Sequence, residues 1–281
     1  MKVAFQGERG AYSEAASIAY FGERIEPVPC ESFDLVFESV ETGLTEHGII
    51  PIENSLAGSI HRNYDLLLRH NLHIVGEKIF RVRHCLIAHP DVVMADIRQV
   101  WSHPQALAQC EHYIKRLGAT IEATYDTAGS VKLLKESGRK EVAAIASRRA
   151  AEVHEMQILE EGVEDDDANF TRFLVLSRQP DPSTSLRAGP TDQSSKTSIV
   201  FSVRNIPGAL FKALSVFALR DLDLTKIESR PIPGKTWEYS FYLDFVGNIA
   251  EPVSARALEH LREIATTMRV LGSYPRDVGG A

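Results

Sequence analysis

The chain has 281 residues, 44% hydrophobic and 25% charged, with 31 basic against 38 acidic side chains and a formal net charge of −7. That balance sits at the globular average and excludes a disordered tail, a collagen-like fibre and a coiled-coil rod. No run of about 18 apolar residues is present to span a membrane, and no basic cluster offsets the acidic balance, so neither membrane nor nucleic acid is an expected partner.

The first residues, MKVAFQGERGAYS, reach glycines and charges at once, so no signal peptide is expected. Cys30, Cys85 and Cys110 are widely spaced and form no CxxC pair. They read as reduced thiols without a zinc site, in a cytoplasmic protein. One stretch, 178–196 (RQPDPSTSLRAGPTDQSSK), has three prolines, many Ser/Thr and almost nothing apolar. It reads as a linker. The division expected is a first domain over 1–178, a linker over 179–196 and a second domain over 197–276.

In chain order, the first part alternates apolar runs with amphipathic stretches. Strands are predicted over 2–5, 26–29, 48–52, 72–79, 84–88, 99–102, 120–124, 142–146 and 170–176. Helices are predicted over 11–21, 33–40, 60–69, 105–117 and 128–135, with Ser32 as an N-cap and Pro104 in a first turn. Such alternation predicts mainly parallel sheets covered by helices. Consecutive strands near 72–88 break it, as a crossover between two lobes would. The second part predicts strand 197–203, helix 208–219, a hairpin of 222–231 and 237–246, helix 253–264 and strand 267–273. That order, βαββαβ, is ferredoxin-like.

Several polar clusters fall at strand ends, where open α/β sheets bind ligands. Gly7 to Ser13 follows a strand and opens a helix. Its glycines suit a tight turn with positive φ, and a helix start also suits an anion. Glu53, Asn54, Ser55 and Ser59 form a loop after a core strand, with Ser59 also a candidate cap. Gln105 and Gln109 share a face of the next helix, and His103 reads as a turn residue before Pro104. In Phe170-Thr171-Arg172-Phe173, strand alternation puts Thr171 and Phe173 on one face and Arg172 on the other. These patterns alone define two α/β lobes with polar loops, not a reaction.

Taken together, the segments GERGAYSEAA (7–16), IIPIENSLAGSIHRNYDLL (49–67), HCLIAHP (84–90), SHPQALAQC (102–110), AAIASRRAAE (143–152) and NFTRFLVLSR (169–178) resemble prephenate dehydratases along nearly the whole chain. NIPGALF (205–211) and ESRP (228–231) resemble a regulatory ACT domain. SIHRNYDLLLRH (59–70) is also similar to arogenate dehydratases.

The resemblance implies a two-lobed catalytic domain like type 2 periplasmic binding proteins, with its second lobe at about 80–155 and its active site in the cleft, followed by the ferredoxin-like ACT domain. It implies a catalytic Thr171 supported by Glu53, Asn54, Ser102 and Gln109. Ser55, Ser59, Gln105 and Phe173 are candidate substrate contacts. Asn205, Pro207, Gly208, Ala209, Leu210, Glu228, Ser229 and Arg230 are the implied effector residues.

The reaction implied turns prephenate into phenylpyruvate in phenylalanine biosynthesis, without cofactor or metal, because aromatisation drives loss of CO2 and water. L-phenylalanine would regulate a homodimer or homotetramer. A hydrogen-bond donor at the leaving hydroxyl is worth roughly 10²–10⁴-fold. Thr171 is expected to be that donor, with Glu53 either the proton source or its orienting group. Backbone N–H groups at the helix starts after Gly10, Ser59 and Pro104 are expected to meet the substrate carboxylates. Arogenate dehydration, giving phenylalanine directly, and a non-catalytic amino-acid-sensing protein are the competing readings.

Overall fold

The computed structural model describes residues 1–180 and 194–279. The first lobe holds β1 (Lys2–Gln6), α1 (Tyr12–Phe21), β2 (Glu26–Cys30), α2 (Phe33–Glu41), β3 (His47–Asn54), β4 (Gly58–Ser59), α3 (His61–Arg69) and β5 (His73–Arg81). The second holds β6 (Cys85–Ala88), β7 (Gln99–Ser102), α4 (Pro104–Gln109), α5 (Glu111–Leu117), β8 (Thr120–Ala123), α6 (Thr127–Ser137), β9 (Val142–Ala146), α7 (Arg148–His154) and β10 (Gln157–Glu161). The chain then re-enters the first lobe as β11 (Phe170–Ser177). Segments 82–84 and 162–169 therefore join the lobes.

The sheets are mixed rather than mainly parallel. In the first, ordered β2-β1-β3-β11-β5 with β4 beside β3, β1 lies parallel to β2 and β3. β11 arrives from the other lobe and runs antiparallel to both β3 and β5. The second sheet is ordered β10-β6-β9-β7-β8, with β10 and β6 antiparallel to their neighbours. It extends the second lobe past the expected 155, to Glu161. Neither β10 nor α7 shows in the sequence pattern: QILEE is a short edge strand ending in charge, and α7 spans seven residues.

Local chemistry sets the helix ends. Ser32, Asp126 and Ser147 accept hydrogen bonds from Leu35, Gly129 and Ala150 backbone N–H groups. The helix predicted over 105–117 is broken at Cys110, whose backbone is not helical. The Asp165 carboxylate, from a lobe connection, accepts the His112 and Tyr113 N–H groups at 3.0 and 3.3 Å and starts a separate helix there.

After the described gap come β12 (Ser195–Ser202), α8 (Ala209–Ala218), β13 (Leu224–Pro231), β14 (Tyr239–Val246), α9 (Pro252–Ile264) and β15 (Thr267–Pro275). This is the βαββαβ order, with an antiparallel sheet β13-β14-β12-β15. Most of the expected linker lies outside the described residues, and its last two, Ser195 and Lys196, already belong to β12.

Ile199, Phe201, Leu243 and Phe245 turn one face of this sheet towards α8 and α9. Val200, Tyr242, Leu271 and Tyr274 turn the other into a core shared with Ile50, Ile52, Tyr64 and Leu67 of the first lobe. Each such fully buried side chain contributes about 1.5–3 kcal/mol. Gly272 permits the contact: a Cβ there would stand 1.9 Å from the Ile74 carbonyl oxygen. The first lobe is thus covered by the second lobe on one side and by the C-terminal domain on the other. Among the described residues no helix is long and apolar enough to cross a membrane.

Candidate active site

β3 and β11 are neighbours and end together, with Asn54 in register with Thr171. Asn54 is locked from both ends of its amide. Its Oδ1 accepts the Leu56 and Ala57 N–H groups at 3.1 and 2.9 Å. Its Nδ2 donates to Asn169 Oδ1 at 2.7 Å, to the Phe170 carbonyl at 3.1 Å and to Thr171 Oγ1 at 3.0 Å. Thr171 is 8% exposed. Because its oxygen accepts from Asn54, the hydroxyl proton remains to be donated, and a chain of donors polarises that O–H. Ser55 donates to the Ala168 carbonyl at 2.7 Å and accepts the Phe170 N–H at 2.9 Å, fastening the loop to the start of β11.

A second polar chain crosses between the lobes. The Tyr12 hydroxyl lies 2.8 Å from His84 Nδ1 and 3.0 Å from the Arg83 carbonyl oxygen. His84 Nε2 lies 3.0 Å from Gln109 Oε1. Burial lowers the His84 pKa, so the ring is neutral at neutral pH. A neutral ring that accepts from Tyr12 at Nδ1 and donates from Nε2 leaves the Gln109 NH2 as a donor. Burial likewise raises Tyr12 well above its ordinary value, so it keeps its proton.

Beside these residues a cavity of about 360 Å3 opens between the lobes. Its walls include Tyr12 and Phe80, the latter in register with Thr171, together with Arg81, Arg83, Arg148 and Arg149. Cys85 also lines it, and burial pushes that thiol up to about 11.

Other expected site residues sit elsewhere. Glu53 is turned to the opposite face of β3, where it pairs with Arg172 at 3.2 Å and Lys226 at 2.6 Å. It is not placed to deliver a proton at Thr171. Adjacent strand residues point to opposite faces, so Asn54 in the cleft sends Glu53 behind it. Arg172 is behind for the same reason. Ser59 is on that side too, hydrogen-bonded to Glu228 Oε2 and Lys226 Nζ at 2.5 and 2.9 Å. Ser102 is fully buried and donates to the Ile145 carbonyl at 2.6 Å, tying β7 to β9. Phe173 is core, 1% exposed, and Gln105 is exposed on α4.

At two of the three helix starts expected to receive carboxylates an N–H is already taken: the Gly10 N–H donates to Glu14 Oε2 at 2.6 Å and the Gln105 N–H to His103 Nδ1 at 3.2 Å.

The effector candidates divide in two. Asn205, Ala209 and Leu210 line a cavity of about 100 Å3 with Trp237 and Tyr239, and Asn205 Nδ2 donates to the Trp237 carbonyl at 3.1 Å. Pro207 precedes Gly208, which caps α8 at φ +77°. Glu228 and Arg230 instead face the first lobe, where Arg230 holds both oxygens of Asp65 at 3.0 and 2.9 Å, and Ser229 between them is exposed.

Sequence reasoning on single residues passed over Tyr12, His84 and Asn169. All three stand inside the quoted strings GERGAYSEAA, HCLIAHP and NFTRFLVLSR, which was the available signal. Among the described residues no group of three or more His, Cys, Asp or Glu is arranged to hold a metal ion.

Two α/β lobes around a threonine hydroxyl, backed by a βαββαβ domain, define a cleft enzyme with an appended regulatory module. The chain belongs to the prephenate dehydratase family, which matches residues 3–181, and an ACT domain matches 197–264. It is accordingly a lyase. It is 51% identical over 286 residues to arogenate dehydratase/prephenate dehydratase 2, chloroplastic, of Arabidopsis thaliana, covering 99% of this chain and 73% of that protein.

Among solved structures it is similar to a protein described as GqqA, a novel type of quorum quenching acylase, with TM-score 0.90, 37% identity and 99% of each chain covered. It is also similar to the prephenate dehydratase of Arthrobacter aurescens in complex with L-Phe, with TM-score 0.88, 29% identity, and 98% of this chain and 90% of that one covered.

Proposed function

We propose that the protein is an arogenate dehydratase that also accepts prephenate and answers to L-phenylalanine through its ACT domain. The observation that carries the chemistry is the Thr171 hydroxyl, which accepts from a fixed Asn54 amide and so has its own proton to give. In the elimination, the ring C–O and C–carboxylate bonds break. The electron pair of the latter enters the ring, CO2 departs, and the hydroxyl leaves with the C–O electron pair and takes a proton from solvent to become water. Thr171 is too weak an acid to protonate it outright. It donates a hydrogen bond where charge develops on the leaving oxygen, in a site shielded from water. The Gln109 amide, held by His84, is the second donor.

The four arginines of the adjoining cavity outnumber its two carboxylates, Glu152 and Glu161, which pair with Arg83, Arg148 and Arg149, so the lining keeps a local positive excess for an anionic substrate that the whole chain, at −7, does not have. The 51%-identical relative is named for both substrates, and arogenate differs from prephenate only in carrying an ammonium where prephenate has a ketone. With arogenate, the product is phenylalanine itself, so regulation by that amino acid would be product feedback. Acyl transfer is disfavoured: the partner of Thr171 is an amide, which cannot take its proton, and Cys85 is protonated at neutral pH.

Steady-state kinetics with arogenate and prephenate, each with and without phenylalanine, test this reading. A higher kcat/KM for arogenate and a phenylalanine response are expected. A tenfold preference for prephenate would return the reaction to phenylpyruvate formation, and no turnover of either would overturn the dehydratase reading. Gly208→Val places a β-branched residue at positive φ, a strained backbone; turnover should persist while the phenylalanine response is lost. Pairing of C-terminal domains through the open edge of β13, giving a homodimer or homotetramer, is part of the same reading.

A further inference from the structure

Directly behind Asn54 and Thr171 lies a network of charges built by both domains. The first lobe supplies Glu53 from β3, Glu77 from β5 and Arg172 from β11. The C-terminal domain supplies Lys196 from β12, Lys226 from β13 and Asp244 from β14. Arg172 is the hub, reaching Glu77 and Asp244 at 2.7 Å each, Glu53 at 3.2 Å and the Tyr274 hydroxyl at 3.1 Å. Lys196 completes Glu77 at 2.8 Å, and Lys226 completes Glu53 at 2.6 Å. Ser198 donates to Asp244 at 2.5 Å.

The pairs cross the domain boundary: Arg172 of the first lobe meets Asp244, Glu77 meets Lys196 and Glu53 meets Lys226, which also lies 3.7 Å from Glu228 of its own strand. Arg172 and Glu77 are almost completely buried. Burial lowers the Arg172 pKa, but Asp244, Tyr274 and Glu77 more than offset it, and it stands raised. A buried charge set of this kind adds little net stability compared with apolar packing, but it fixes one geometry sharply, because any misfit leaves an unpaired charge in low dielectric.

What it fixes here is the site. Arg172 is the next residue after Thr171, and Glu53 the residue before Asn54. Consecutive strand residues share a backbone and point to opposite faces. Holding Arg172 and Glu53 from behind therefore holds Thr171 and Asn54 in front.

We propose that Arg172 and Glu53 are positioning residues, and that the C-terminal domain sets the geometry of the Asn54–Thr171 pair by gripping them through Asp244 and Lys226. The consequence for control rests on the dehydratase reading above. Lys226 lies on the same face of β13 as Glu228 and Arg230, so any ligand that shifts β13 alters the grip on Glu53. Thr171 then responds without the ligand entering the cleft.

The test uses the full chain with Lys226→Met, a half-buried position outside the catalytic set. The kcat should fall on the order of tenfold with KM within about twofold, as displacement of a donor predicts, and Lys226→Arg should restore it. In an Asn54→Ala background the same change should have almost no further effect, because the geometry it protects is already lost. A purely structural role would instead give the same loss in both backgrounds, and that result, or an unchanged kcat, would overturn the proposal.

Backbone hydrogen exchange gives an answer independent of turnover. Lys226→Met should speed exchange at 53–55 and 170–173 while β9 stays protected. Unchanged protection at those segments would refute the grip even in a protein that turned over neither substrate. Lack of turnover in the wild type, with exchange altered as expected, would refute the dehydratase reading alone.

Discussion

The two faces of the β3–β11 pair differ in kind. The cleft face presents neutral donors, Asn54 and Thr171; the rear face, one residue away in each strand, presents Glu53 and Arg172 inside a network of ions. The chemistry explains the division. A hydroxyl that must donate to a leaving oxygen is helped by fixed dipoles and would be disturbed by a mobile carboxylate nearby. Ions are useful behind it, where they fix register and never touch substrate. A strand thus carries chemistry and anchorage on adjacent residues, and a motif read as one catalytic string serves two sides of a sheet.

Substitutions on the two faces should separate these roles. The largest effect is expected at the rear. Arg172→Met leaves Glu77 and Asp244 without their shared cation, and removal of one partner from a buried ion set costs about 3–5 kcal/mol. Chemical denaturation should show that loss, and a midpoint close to wild type would contradict the buried network. On the cleft face, Asn54→Ala removes the donor to Thr171 and the acceptor that shapes 54–57. The kcat should fall roughly tenfold to a hundredfold with a smaller change in KM, which stopped-flow or steady-state assays would reveal.

The smallest and most graded effect is that of acid, and the two faces should respond in different ranges. His84 has its pKa lowered from 6.5 by burial, so the native state binds its proton less readily than the unfolded chain does. Stability should begin to fall as pH drops below 6.5, and kcat should follow as the ring charges and its bonds to Tyr12 and Gln109 rearrange. Asp65 has its pKa lowered from 3.8, first by the Arg230 hydrogen bond. Its contribution is present above 3.8 and is lost only as pH falls through the lower folded value. Activity should thus decline before the domains loosen. Paired pH profiles of kcat and of unfolding would show a single shared transition if this separation is wrong.

Much of this architecture was legible in the residues. The βαββαβ order follows from alternation in 197–203 and the hairpin of 222–231 and 237–246, and Arg172 was separable from Thr171 by strand periodicity alone. Periodicity also parts Glu53 from Asn54, but carried on from Ile50 and Ile52, which face the C-terminal domain, it would put Glu53 in front; the irregular register opposite Arg172 and Phe173 reverses the faces. The resemblance set them together in one string, and a string carries no face. Ser59 and Glu228 are 169 residues apart, and no local pattern reports their hydrogen bond. The break at Cys110 was hidden for a similar reason, since the group that starts α5 is Asp165, from a connection between lobes. Ser102 shows the limit in another way: a serine at a strand end reads as a site residue until the carbonyl it meets is known.

The most direct test is the isosteric pair Thr171→Val and Thr171→Ser, assayed for kcat and KM on arogenate and prephenate. Valine keeps the shape and deletes the O–H, so kcat should drop about 10²–10⁴-fold with KM little changed, while serine should retain most of the rate. A valine variant turning over at near the wild-type rate would show that the Thr171 hydroxyl is not the donor that eases water off the ring.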